Sequence, residues 1–286
     1  MKETEKAELP IIPYDREDDL HNLEISTEAD LVVFMAGNQF MAMPELMEKF
    51  QGRHPEVRNI YYETLPPGLE LKQVLSGGAV FRDDIIDVYP DVYTSVNENA
   101  MKTLVNAGHM QTTDYVLYLH NRLSLIVPEG NPAKIESVAD LGKERVRISQ
   151  PDPANEDIAF HIMDMYRDAG GDKLVRRIME EKRAEGTTIL TIVHHRETPL
   201  RIAKKTVDVG PVWATEIIHA GTTELSFEVI EPGPDLDQRD KINYYICKFS
   251  KAPHPEAAEK FIHFISSPVA KEIYEKHGFL PAKQGR

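Results

Sequence analysis

Apolar residues along this chain recur in two alternating rhythms. Short unbroken runs rich in β-branched side chains, such as LVVFM at 31–35, predict strands buried on both faces. Soon after each, apolar residues return at helical spacing. The first instance organises the rest. Pro44 and Glu45 suit the first turn of a helix whose inner face carries Leu46, Met47 and Phe50, and Gly37, Asn38 and Gln39 lie in the short connection before it. So short a link puts the strand's carboxyl end and the helix's amino end at one crevice. Unpaired amides at such a helix start form a site for an anion or polar ligand. The alternative for an isolated turn is that Gly37 bends the chain and Asn38 or Gln39 caps the helix.

The unit repeats. A strand at 57–62 leads through Thr64 and Pro66-Pro67-Gly68 into a helix ended by Gly77-Gly78. Extended runs at 85–89 and 92–96 precede a helix over 97–107. Two long apolar strands, 115–119 and 123–128, flank His120-Asn121-Arg122 and read as a crossover into a second lobe. There, a short helix at 135–141 is followed by a strand at 145–149, a polar loop from Gln150 to Glu156, and a helix closed by Gly170-Gly171. A strand at 188–193 then meets His194-His195-Arg196-Glu197-Thr198, and a strand at 207–213 ends in Trp213 before the helix opened by Thr215 and Glu216. The chain finishes with a strand at 242–249 and two helices separated by Ser266-Ser267-Pro268.

Composition narrows the function. The 286 residues suffice for two lobes with their own cores. With 33 Lys and Arg against 47 Asp and Glu, the net charge of −14 argues against binding a nucleic-acid backbone, so an anion site must be local. The single cysteine, Cys247, excludes an internal disulfide framework and sits in an apolar strand as an inert buried thiol. Residues 1–27 are polar, with no basic-then-apolar leader. A metal reading of His194, His195 and Glu197 fails because consecutive histidines diverge on extended backbone and no second ligand pair has metal spacing.

The order of elements over residues 28–284 resembles the type II periplasmic solute-binding proteins of ABC importers, in particular the molybdate and tungstate-binding branch. The resemblance rests on the opening strand-turn-helix with Gly37-Asn38-Gln39, DVYTS at 91–95, LSLIVPEGNP at 123–132, VGPVWATE at 209–216, and the ending AAEKFIHFISSPVAKEIYEKHGFLP. It implies an α/β fold of two lobes, each a mixed sheet flanked by helices, joined by a two-strand hinge. The lobes would be 28–118 plus 245–286, and 122–240. The hinge would lie near 119–121 and 241–244, with 1–27 as an N-terminal extension. A ligand held between the lobes would be dried by their closure, so amide and hydroxyl dipoles would act on it without competing water.

Carried over residue by residue, the resemblance implies ligand groups at Asn38, Gln39, Thr64 and Gly68 in the first lobe. In the second it implies Gln150 and Asp152, then Arg196 and Thr198, then Trp213. The departures are Asn38 where small hydroxyl side chains are usual, the Pro66-Pro67 insertion, an indole in place of a tyrosine, and the basic pair His195-Arg196. The implied function is capture of a small anion, an oxyanion or a short organic acid, and its delivery by a monomeric protein to an ABC permease in the membrane. No cofactor, metal or nucleic acid takes part. The implied location is periplasmic or extracytoplasmic, with a leader removed. A ligand-sensing domain of a signalling system on the same fold is the alternative. An enzyme is disfavoured: there is no Gly-rich phosphate loop, no Ser-His-Asp or Cys-His arrangement, and no metal-ligand cluster.

Overall fold

The computed structural model describes residues 8–154, 156–192, 197–221 and 225–282. Two compact units emerge. The first comprises residues up to Leu119, Asn243–Lys276 and the segment from Leu280; the second comprises His120–Ile242 and His277–Phe279.

In chain order, the first unit contributes β1 (Ile11–Ile12), β2 (Leu20–His21), β3 (Leu31–Phe34), α1 (Met43–Arg53), β4 (Ile60–Glu63), α2 (Pro67–Ser76), β5 (Ala79–Phe81), β6 (Asp84–Ile86), β7 (Val92–Ser95), α3 (Glu98–Asn106) and β8 (Tyr115–His120). The second contributes β9 (Leu123–Val127), β10 (Ile148–Gln150), α4 (Ile158–Arg176), α5 (Lys182–Ala184), β11 (Thr188–Leu190), α6 (Glu197–Ala203), β12 (Gly210–Trp213), α7 (Ala214–Ala220) and β13 (Glu228–Ile230). The chain then returns with β14 (Asn243–Lys248), α8 (Pro255–Ile265), α9 (Pro268–Lys276) and β15 (Leu280–Pro281).

The first unit is built on a mixed sheet in the order β15-β8-β14-β7-β3-β4-β2. Every residue of β3, β4 and β7 is buried, including the polar Glu63, Thr94 and Ser95 that end the last two, as for strands covered on both faces. β3 runs parallel to both β4 and β7, while β14 is antiparallel to β7 and β2 to β4. α1, α8 and α9 pack on one another and α3 on β7 and β14. Asn97 caps α3, its side chain accepting from the Ala100 amide at 3.1 Å. Cys247 is buried on β14, and burial raises its thiol far above the usual range.

The second unit pairs β12 and β13 with β9, all antiparallel, and β10 with β11 in parallel. A parallel bridge between Ile148 and Val209 connects these two sets. α4 leaves helical geometry at Gly170 and Gly171, where the glycine pair ends its first half. The short helix expected at 135–141 is a 3₁₀ turn at Val138–Gly142, opened by a reciprocal Ser137–Asp140 capping box. The buried Lys182 ammonium fastens the following loop by donating to the carbonyls of Lys143, Glu144 and Val146 at 2.7, 3.3 and 2.7 Å. The described residues hold no helix long and apolar enough to cross a membrane.

Residues 8–27 belong to the first unit. β2 adds to β4 as the edge strand of the main sheet, and β1 pairs with β5 in a three-stranded sheet with β6. Neither two-residue strand has enough length for a periodicity.

Two buried carboxyl groupings hold the frame around the β3 and β4 ends. Asp91, fully buried, accepts from the amides of Val32 and His254 at 2.8 and 2.6 Å and pairs with the His254 ring nitrogen at 3.0 Å, tying β3, β7 and the start of α8 together. Under the β4–α2 loop, Glu63 Oε1 accepts from Tyr61 (2.6 Å) and Gln73 (2.9 Å), and Glu70 Oε1 accepts from the Leu65 amide at 3.2 Å. Glu63 Oε2, Glu70 Oε2 and Gln73 Oε1 have no donor among the described residues. Burial pushes Glu63 up to about 7 against the two donated bonds, and burial together with the charge of Glu63 raises Glu70 well above the usual carboxylate range.

Asp91→Ala, which strands two buried amides, is expected to cost about 3 kcal/mol and to lower Tm by roughly 10 °C in thermal unfolding; a change under 2 °C would show that the bonds are dispensable. A carboxyl whose folded pKa is raised stabilises fully below its unfolded value and loses that contribution as pH rises through the folded one. Urea unfolding should therefore show stability falling from about pH 4.5 to about 7, and Glu63→Gln should remove on the order of 2 kcal/mol of that fall. Superimposable pH profiles would refute the assignment.

Candidate functional site

In the first unit the parallel register sets the geometry. Phe34 lies opposite both Glu63 and Tyr93, so the chains leaving β3, β4 and β7 emerge side by side at one end of the sheet. Met35 donates its amide to the Glu63 carbonyl at 2.9 Å and Ala36 donates to Thr94 Oγ1 at 2.7 Å, stitching the first of these loops to both neighbours. Gly37 comes closest. A Cβ there would lie 2.7 Å from the Thr64 carbonyl oxygen and 3.0 Å from that of Leu65, so any side chain would force the two loops apart.

Asn38, Gln39 and Thr64 are thereby gathered at one end of this unit. Gln39 is fully buried and its amide is committed inward: it donates to Thr94 at 3.1 Å and accepts from Tyr118 and Tyr274 at 2.6 and 2.9 Å. Asn38 donates to the Tyr244 hydroxyl, and its own carbonyl oxygen is buried with no donor among the described residues. Thr64 is 2 % exposed; its amide donates to the Asp19 carbonyl at 2.9 Å and its hydroxyl to the Asp19 carboxylate at 3.3 Å. His21 Nε2 lies 3.2 Å from the same hydroxyl, with its ring stacked on Tyr62 at 4.1 Å. Burial lowers the His21 pKa, opposed by the charges of Asp19 and Asp18. Gly68, in the first turn of α2, is exposed with open space where a side chain would stand.

In the second unit β10, β11 and β12 end together in the same sense. Gln150 is fully buried, accepting from the Tyr166 hydroxyl at 2.7 Å and donating to the Pro151 carbonyl at 3.1 Å. Asp152 accepts from the Ala154 amide at 2.9 Å and donates its own amide to Thr191 Oγ1 at 3.1 Å. The Thr198 hydroxyl lies 2.9 Å from that of Ser149, at the start of α6. Gly210 packs beneath them: a Cβ there would overlap the Thr198 methyl group. Trp213 ends β12 and is 3 % exposed, its ring 6.0 Å from that of His161. Arg196, with His194 and His195, lies outside the described residues.

Four participants escaped sequence reasoning. Arg16, Asp19 and His21 lie in the segment set aside as an extension, and only the tertiary pairing of β2 with β4 brings them to Thr64. Arg201 spans the ends of β10 and β11, donating to Ser149, Ile189 and Leu190 at 3.3, 3.1 and 3.0 Å and pairing with Glu197 at 2.6 Å. Its one visible signal was the Glu-to-Arg spacing of four on a helix. Among the described residues no group of three His, Cys, Asp or Glu is placed to hold a metal ion.

Comparison with known proteins fits this arrangement. The Bacillus subtilis (strain 168) protein YvgL, named as an ABC-transporter substrate-binding lipoprotein, is 21 % identical over 252 residues, 87 % of this chain and 85 % of its own length. The sulfate-binding protein SubI of Mycobacterium tuberculosis H37Rv shares the fold at a TM-score of 0.69, with 16 % identity over 89 % of this chain and 87 % of SubI. The periplasmic molybdate-binding protein of Azotobacter vinelandii does so at 0.66, with 16 % identity over 88 % of this chain and all of that one. These likenesses carry the expected two-lobed periplasmic-binding-protein architecture. Members of this class are extracytoplasmic, deliver small ligands to a membrane permease of an ABC transporter, and are not enzymes. Residues 31–280 match the sequence profile described as bacterial extracellular solute-binding protein, and the chain belongs to that family.

Proposed function

We propose that this protein captures a small anion, an oxyanion or a short organic acid, outside the cytoplasm and presents it as a monomer to its ABC permease. The observation that carries the reading is the convergence, within the first unit, of three strand ends with the Asn38 and Thr64 loops, one of which opens directly into the ten-residue helix α2. Pro66 and Pro67 carry no N–H and the Leu69 and Glu70 amides donate to the Pro66 carbonyl, so α2 offers an anion the Gly68 amide and the positive end of its dipole. The sulfate and molybdate named for SubI and the Azotobacter protein support the anion class. Arg196 is a cationic fork for such an anion on grounds of sequence alone.

Thermal shift across molybdate, tungstate, sulfate, phosphate, nitrate and small carboxylates tests this. A ligand at a hundred times its Kd adds about 2.7 kcal/mol, a rise of roughly 5–10 °C for a chain of this size. Arg196→Ala should weaken any anionic hit at least about tenfold. Silence across the panel would reject the anion class, and full affinity in the variant would remove Arg196 from the site. Gly37→Val should lower affinity for the same hit by driving the β3 and β4 loops apart, with a stability loss of about 1–3 kcal/mol in urea; unchanged affinity would place the ligand elsewhere.

A further inference from the structure

We propose that residues 16–21 of the N-terminal segment determine specificity at the first unit's binding end, selecting an anion that carries a proton over a fully deprotonated oxyanion. This deepens the anion reading and rests on it. The argument starts from the Thr64 hydroxyl, which has one hydrogen to give and two lone pairs to receive. Its hydrogen goes to the Asp19 carboxylate at 3.3 Å, and Arg16 pairs with the other oxygen of that carboxylate at 3.3 Å. An ionised carboxylate only accepts, so the direction of that bond is fixed. His21 Nε2, 3.2 Å from the same oxygen, is then the donor to Thr64, which leaves the hydroxyl one lone pair and no hydrogen.

A second acceptor stands on the adjoining loop. Asn38 donates to the Tyr244 hydroxyl, and its carbonyl oxygen has no donor among the described residues although the residue is only 9 % exposed. The Gly37 contact with the Thr64 carbonyl makes the two loops immediate neighbours. Two acceptors beside a carboxylate offer nothing to a bare sulfate or molybdate and repel it. An anion with an O–H, such as hydrogenphosphate, can donate to either. Leaving a site's buried acceptor unpaired is what makes rejection of the hydrogen-free analogue strong. Sulfate and phosphate have nearly the same tetrahedral size, so their comparison isolates the proton.

The test is calorimetric titration of the whole chain with inorganic phosphate, sulfate and molybdate at pH 7.5, for wild type and Asp19→Asn, with circular dichroism to verify folding. Wild type should bind phosphate at least about tenfold tighter than sulfate. Asp19→Asn, which can turn a donor toward Thr64, should bring the two within about threefold. Nitrogen NMR of His21 in the wild type supplies a readout that does not depend on the variant folding: the proton should reside on Nε2. Equal or tighter binding of sulfate or molybdate by wild type, an unaltered ratio in folded Asp19→Asn, or a bare Nε2 would each overturn this inference while leaving the anion reading intact. Binding of none of the three would overturn this inference as well, while the anion reading falls only if the wider thermal-shift panel is also silent.

Discussion

Two parallel strands that end side by side leave their following loops to compete for one space, and in the first unit that competition is settled at Gly37. The backbone there approaches the Thr64 and Leu65 carbonyls more closely than any side chain would permit. Because of this contact the Asn38 and Thr64 loops are immediate neighbours. The second unit solves the same problem with Gly210, packed against Thr198 and Ser149 where β10 and β12 run together. Polar loop tips are thus arranged by backbone proximity before any ligand contributes.

Charge works against that arrangement and is contained locally. The chain carries a net charge of −14, and its first unit buries Asp19, Glu63 and Glu70 around the β4–α2 loop and Asp91 at the start of β7. Each is handled differently. Asp91 is satisfied by two amides and a histidine, Asp19 by Arg16 and Thr64, while burial holds Glu63 toward neutrality and burial with the charge of Glu63 does so for Glu70. The outcome is a sheet end rich in acceptors beside a helix start whose two prolines carry no N–H.

The N-terminal segment illustrates how tertiary pairing overrides local signal. Residues 11–12 and 20–21 have no strand periodicity, and the surrounding run of Asp and Glu reads as solvated chain. Yet β2 closes the exposed edge of β4 by backbone hydrogen bonding, which depends little on side-chain identity, and so carries Asp19 and His21 to Thr64. Arg201 is the same lesson in the second unit: the receiving carbonyls of Ile189 and Leu190 lie on a strand twelve and eleven residues back.

By itself the sequence determined the alternation of buried strands with helices, the polar connections between them and the family to which that order belongs. Apolar runs and helical spacing report burial along the chain, and burial depends on local pattern. It also marked Asn38, Gln39, Thr64, Gln150 and Thr198 as loop or strand-end polar residues. Tertiary structure alone decided which of their atoms were already spent: Gln39 on Tyr118 and Tyr274, Gln150 on Tyr166, Thr198 on Ser149, and Thr64 on Asp19. A hydrogen bond joins groups near in space, and these partners lie between 16 and 235 positions away, so no reading along the chain reaches them.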